Sequence, residues 1–270
     1  MSAKPKTQSM ALYCDFENIA IGVCDAKYAA FDIQKVLERL LLKGNIVVKK
    51  AYCDWERYKE FKAAMHEATF ELIEIPHVRQ SGKNSADIRM VVDALDLCYT
   101  KAHVDTFVII SGDSDFSALV SKLRENNKVV IGIGVKNSTS DLLISNCDEF
   151  IYYDDLMREA EKQHKAKRKT ALKKTATKAA SKSEEKKQEA MDLVLETVED
   201  LFEERGEEEK VWGSMVKQAL KRRKPGFSET YHGFRTFGKL LEEAQAQKLL
   251  ELEHDEKSGG YIIKSFAHEE

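Results

Sequence analysis

Over the first 155 residues the apolar positions alternate between two spacings. ALYCDFEN, IVVKKAYCDW, ELIEIPHV, TFVIISGD, KVVIGIGV and EFIYYDDL carry runs of β-branched, aromatic and small apolar residues that stop at polar or turn residues, the pattern of buried strands. Between them, FDIQKVLERLLLKGN, RYKEFKAAMHEATF, SADIRMVVDALDLCYTK, FSALVSKLRENN and SDLLISNC repeat apolar residues at helical spacing. The first of these closes on Gly44, and Ser85 stands where an N-cap belongs. Asp141 fits a similar capping role. Strands separated by helices of this length predict a mostly parallel sheet covered on both faces, a doubly wound α/β domain. In such a sheet the reactive groups belong at the strand ends, where the strand order reverses.

After residue 160 the pattern changes. AMDLVLETVEDLFEE, WGSMVKQALKRRK and FRTFGKLLEEAQAQKLL read as three helices, and LLELEHDEKSGGYIIKSF as two strands around a turn at 258–260. Three helices and a hairpin of this size suggest a small winged-helix α+β module. The expected division is a flexible N-terminus over 1–9, an α/β domain over 10–157, a basic linker over 158–188 and the small module over 189–267. A partly helical or disordered linker suits the alanine-rich, lysine-rich composition between them.

Charge sharpens this division. Lys and Arg number 43 against 46 Asp and Glu, a net −3, yet residues 162–183 hold nine basic residues and no acid. The rest of the chain therefore sums to −12. A basic arm beside an acidic body points to nucleic acid, with a solubilising tether as the plain alternative. No run reaches the roughly 20 apolar residues of a membrane helix, and the first ten residues have no apolar signal core. The five cysteines are scattered and form no C-x-x-C, which reads as reduced thiols in a cytoplasmic protein.

The carboxylates are the chemical signal. Asp15 and Asn18 follow ALYC, Asp113 and Asp115 follow FVIIS, and Asp87 lies in the first turn of a predicted helix. Two carboxylates about 5 Å apart repel by roughly 3 kcal/mol at an effective dielectric of 20. Several together are a liability without a cation, and oxygen donors suit a hard divalent ion, Mg²⁺ or Mn²⁺. Taken singly, Asp87 or Asp115 would read as a helix cap or dipole partner. Two strand ends and a helix start together read as a metal site, whose ion could polarise a phosphodiester.

CDFEN, GKNSADIRMVVDAL and ISGDSDFSALV, in this order over about residues 10–155, resemble the three signatures of the NYN domain, a branch of the PIN-like nucleases, closest to the bacterial LabA-like or DUF88 group. The resemblance implies a Rossmann-like sheet and a metal-dependent ribonuclease. By the family pattern Asp15, Asp87, Asp113 and Asp115 would be metal ligands, with Asn18 beside them in the catalytic set. Asp93, Ser111 and Gly112 would be supporting residues. The small module, through KVWGSMVKQALKRRKPGFSETYHGFRTFGKLLEEAQAQKLLEL and GGYIIK, resembles the OST-HTH or LOTUS domain, a family linked to RNA binding.

RNA is the expected partner and a membrane is not; self-association and a protein partner for the winged helix stay open. Arg79, Lys83 and Asn84, in the loop before the SADIR helix, are the expected phosphate contacts near the metal. Lys221, Arg222, Arg223, Lys224 and Arg235 form the expected basic edge of the small module. Tyr52 and Trp55 could stack on a base or pack in the core, and Phe227, Phe234 and Phe237 are expected in the core. The principal alternative is an RNA-binding regulator that cuts poorly. A phosphatase of the haloacid-dehalogenase type would need Lys136 and Asp154–Asp155 and leave Asp15, Asn18 and Asp87 idle. A Toprim-like site would need Glu17.

Overall fold

TFVII at 106–110 is buried at every position, as expected of a strand covered on both faces. It is the inner strand β4 of a six-stranded sheet in the computed structural model, which describes residues 8–75, 85–160, 182–206, 209–255 and 259–266. The chain divides into two units, 1–167 and 168–270.

In the first unit the strands are β1 (Gln8–Asp15), β2 (Gly44–Cys53), β3 (Glu71–Glu74), β4 (Thr106–Ile110), β5 (Val129–Gly134) and β6 (Glu149–Tyr152). Their order is β3-β2-β1-β4-β5-β6 and every pairing is parallel. The order reverses between β1 and β4, with Cys14 registered against Ile110. Asp15 and the Ser111–Gly112–Asp113 turn therefore leave the sheet side by side. This is the doubly wound α/β fold expected from the sequence.

Period-two alternation sorts the sheet's side chains into two cores. Leu12, Cys14, Ala51, Cys53, Val108 and Ile110 face one layer, against helices α1 (Phe16–Asp25) and α2 (Ile33–Lys43). Ala11, Tyr13, Tyr52, Phe107 and Ile109 face the other, against α4 (Ser85–Thr100) and α5 (Ser117–Glu125). The remaining helices of this unit are α3 (Lys62–Glu67), α6 (Asp141–Asn146) and α7 over 153–160.

Several local expectations shift. Helix α1 was not anticipated, although Phe16, Ile19 and Val23 are its buried stripe at helical spacing. The helix expected over RYKEFKAAMHEATF contracts to a 3₁₀ turn, Lys59–Phe61, and the six residues of α3. Gly44 is not a left-handed cap. Its φ is −174°, fully extended, and it opens β2 where a Cβ would lie 2.4 Å from the Gln8 carbonyl oxygen. Ser140, not Asp141, caps α6 by accepting from the Leu142 N–H. Ser85 is the first residue of α4 rather than a residue ahead of it.

The second unit contains α8 (Lys182–Arg205), β7 (Val211–Trp212), α9 (Gly213–Arg223), α10 (Phe237–Ala246), β8 (Leu250–Asp255) and β9 (Gly260–Phe266). Its strands form an antiparallel sheet in the order β7-β9-β8. The expected hairpin is present. Trp212, assigned to a helix from its spacing, instead adds a short third strand, and α8 begins inside the span expected as linker. Val194, Val198, Val216, Leu220, Leu240 and Ile262 are buried, and Phe227, Phe234 and Phe237 join the core as expected. Among the described residues no helix is long and apolar enough to cross a membrane.

Candidate functional site

Asp15 is the last residue of β1 and the N-cap of α1, its Oδ1 accepting from the Asn18 N–H at 3.3 Å. A strand that runs directly into a helix leaves little backbone between them, so Asp15 is only 7 % exposed. The neighbouring strand supplies the rest of the frame. Ser111 Oγ donates to Asp15 Oδ2 at 3.0 Å and accepts from the Asp113 N–H at 3.1 Å. One buried hydroxyl thus ties both aspartate positions together. The Gly112 N–H donates to Asn18 Oδ1 at 2.8 Å, closing a second link between α1 and the β4 turn. Gly112 has no space for a side chain, because a Cβ would lie 2.4 Å from the Ser138 carbonyl oxygen. Asp113 in turn caps the 3₁₀ turn Ser114–Phe116 by accepting from the Asp115 N–H at 3.0 Å.

Asp87 lies in the first turn of α4, which packs against β1 and the Ser114–Phe116 turn. Burial, then the charge of Asp87, then that of Asp113, pushes Asp15 up to about 7 against the hydrogen bonds from Asn18 and Ser111. Asp87 is pushed up to about 6 by burial and by the charges of Asp113, Asp115 and Glu17. After burial, neighbouring carboxyls are the strongest upward influence on both groups. The donor set is all oxygen, which suits Mg²⁺ or Mn²⁺. However, among the described residues no three Asp, Glu, His or Cys side chains are gathered closely enough to enclose an ion. Such an arrangement fits a cation that takes one or two carboxylates and keeps much of its water, as Mg²⁺ does.

Other expected residues fall elsewhere. Asp93 faces β2, where its carboxylate accepts from Tyr52 Oη at 2.9 Å and pairs with Lys50 at 3.1 Å and Arg89 at 3.1 Å. Its role is to anchor α4. Tyr52 and Trp55 are buried, Trp55 against Phe16 at 5.0 Å between rings, and offer no face to a base. Arg79, Lys83 and Asn84 lie outside the described residues. In the second unit Arg223 pairs with Asp200, both largely buried, so it is held inside rather than presented. Lys221, Lys224 and Arg235 are exposed, while Arg222 is half-buried with its pKa lowered by burial.

The residues of the two enzyme alternatives also have other partners. Asp154 accepts the Lys136 backbone N–H at 2.8 Å, and Asp155 pairs with Arg158. Glu17 pairs with Arg57 at 3.0 Å. What the sequence reading missed was α1 and, with it, the bond from Gly112 to Asn18; the Phe16–Ile19–Val23 spacing was the available signal.

Comparison with known proteins bears on the family and the fold. Residues 9–155 match the NYN domain family. An uncharacterised protein of Methanocaldococcus jannaschii is 28 % identical over 142 residues, covering 52 % of this chain and 56 % of that protein. The meiosis regulator and mRNA stability factor 1 of Xenopus tropicalis is 23 % identical over 150 residues, covering 56 % of this chain and 9 % of the frog protein. The chain thus spans about half of the first relative and under a tenth of the second. A solved structure of a protein of unknown function from Vibrio parahaemolyticus superposes with a TM-score of 0.50 at 26 % identity, over 57 % of this chain and 98 % of that one.

Proposed function

The chain belongs to the NYN domain family, and on that premise we propose that it is a divalent-metal-dependent endoribonuclease acting at the β1–β4 strand ends. The observation that carries the reading is the link from Ser111 Oγ to both Asp15 and the Asp113 N–H, beside which burial and neighbouring carboxyls raise Asp15 and Asp87. Carboxyls arranged to repel one another call for a cation, and the all-oxygen donor set calls for a hard one. One or two of Asp15, Asp87 and Asp113 would hold it directly, with the others and Asp115 reaching it through bound water. When bound, Mg²⁺ or Mn²⁺ would polarise the phosphodiester and favour ionisation of an attacking water.

The chain's own groups have distinct tasks. Ser111 orients Asp15 and the Asp113 backbone together. Asn18 fixes the β4 turn through the Gly112 N–H, a positioning role. Burial of Asp15 excludes bulk water from one side of the site. RNA is the proposed substrate; a relative named as an mRNA stability factor supports that class. The exposed Lys221, Lys224 and Arg235 of the second unit, read as an OST-HTH module, and the basic 162–178 segment would add affinity for phosphates.

Purified full-length chain with Mn²⁺ or Mg²⁺ and end-labelled RNA tests this. Cleavage that EDTA abolishes and that Asp113→Asn reduces by about 10²-fold or more is expected, since removing one charge-stabilising group costs that much in comparable sites. A second reading, an RNA-binding regulator without efficient turnover, draws on the absence of a closed ligand cluster among the described residues. Intact RNA with tight binding in the same assay would favour it.

A further inference from the structure

Helix α4 buries Met90, Ala94 and Cys98 against the sheet, as an amphipathic helix should. Its outer face is unusual. Ile88 is 62 % exposed, Val92 55 % and Tyr99 64 %, and the half-buried Leu95 lies in line with them. The spacing is four, three, four, the seam of a coiled coil rather than a scatter of surface apolar residues. Tyr99 is braced, its hydroxyl accepting from Asn126 Nδ2 at 3.2 Å.

We propose that this stripe is the seam of a twofold homodimer, occupied by α4 of a second copy packed antiparallel. The flanking charges select that arrangement. At 100° per residue Arg89 and Asp96 fall on one flank of the stripe, and the other flank carries Val91, with the buried Cys98 and the half-buried Asp87 further round towards the sheet. A twofold axis that makes the helices antiparallel brings like flanks together. Ile88 then meets the second copy's Tyr99, and Val92 its Leu95. Arg89 comes within about 3 Å, along the axis, of the second copy's Asp96, and the symmetry supplies the pair twice. A parallel pairing sets Arg89 and Asp96 against the Val91 flank and does not bring them together. Arg89 already holds Asp93 within its own chain, which leaves it fixed in place on that flank.

A helix of 16 residues is about 24 Å long, so its seam is smaller than a standard protein interface. The dimer is therefore concentration-dependent. Sedimentation velocity of the full-length chain, from micromolar to several hundred micromolar, reads it directly and uses neither RNA nor metal. It therefore stands or falls apart from the nuclease reading.

The expected result is a rise in average mass from 30.8 kDa towards twice that value. Val92→Asp should hold the chain at the monomer mass with an unchanged circular dichroism spectrum. Arg89→Glu and Asp96→Lys should each weaken association about tenfold or more when alone, by setting like charges together. Mixed, the two variants restore both pairs as opposite charges, and the heterodimer should form within a few-fold of wild type. A wild type monomeric at every concentration, a Val92→Asp chain that still dimerises, or a mixture no better than its parts would each overturn the proposal.

Discussion

Asp15 holds two hydrogen bonds on opposite oxygens, one as a helix cap and one from Ser111. The cap favours its charge, through the positive end of α1, while burial and its acidic neighbours oppose it. Without metal this has a predictable sign. In the unfolded chain both aspartates lose their protons near pH 4; in the folded chain Asp87 keeps its proton to about 6 and Asp15 to about 7. The native state thus binds more protons across that window, and stability falls as pH rises from about 4 to 7. In EDTA the melting temperature should be lower at pH 8 than at pH 5, and Asp15→Asn should flatten the difference. Mn²⁺ should raise it more at pH 8 than at pH 5, because the ion replaces the protons. A metal-free protein most stable at pH 8 would contradict this account. Ser111→Ala removes the hydroxyl that joins Asp15 to Asp113 and leaves buried groups unsatisfied. A loss of about 1–3 kcal/mol in urea unfolding is expected; a loss within error would show that the link is dispensable.

At the level of elements, what the sequence made legible and what it hid have physical causes. β4 and β5 were plain, because strands buried on both faces must be apolar throughout. The convergence of Asp15 and Asp113 followed from strand order, and β1 does pair with β4. Helix α1 was obscured because it starts on the residue after β1, with no turn residues to mark the change of period. Asp93 was ambiguous because six residues along a helix turns it away from Asp87. Only the register of α4 against β2 reveals its partners, Lys50 and Tyr52. That assignment predicts that Asp93→Ala destabilises the fold by about 3 kcal/mol, by leaving Tyr52 without its acceptor and Lys50 with only the more distant Glu71. Chemical denaturation measures it, and a neutral substitution would return Asp93 to the candidate ligands.

For the whole molecule, the first unit carries the acidic strand ends and the second carries exposed cations, Lys221, Lys224 and Arg235. The sequence over 162–178 adds eight basic residues. Replacing those eight with glutamine should weaken RNA binding and flatten its salt dependence, by about 0.7 in log–log slope for each single-strand phosphate that is no longer neutralised. An unchanged slope in fluorescence anisotropy across 50–300 mM salt (roughly the range where counterion release dominates) would make the segment a tether only. The most direct measurement is anomalous scattering from crystals of the full chain soaked in Mn²⁺. The account predicts one peak at the β1–β4 strand ends, about 2.1 Å from a carboxylate oxygen of Asp15 or Asp113, with Asp87 bound directly or through water. Manganese bound only at other carboxylates, with that end of the sheet empty at saturating metal, would contradict it.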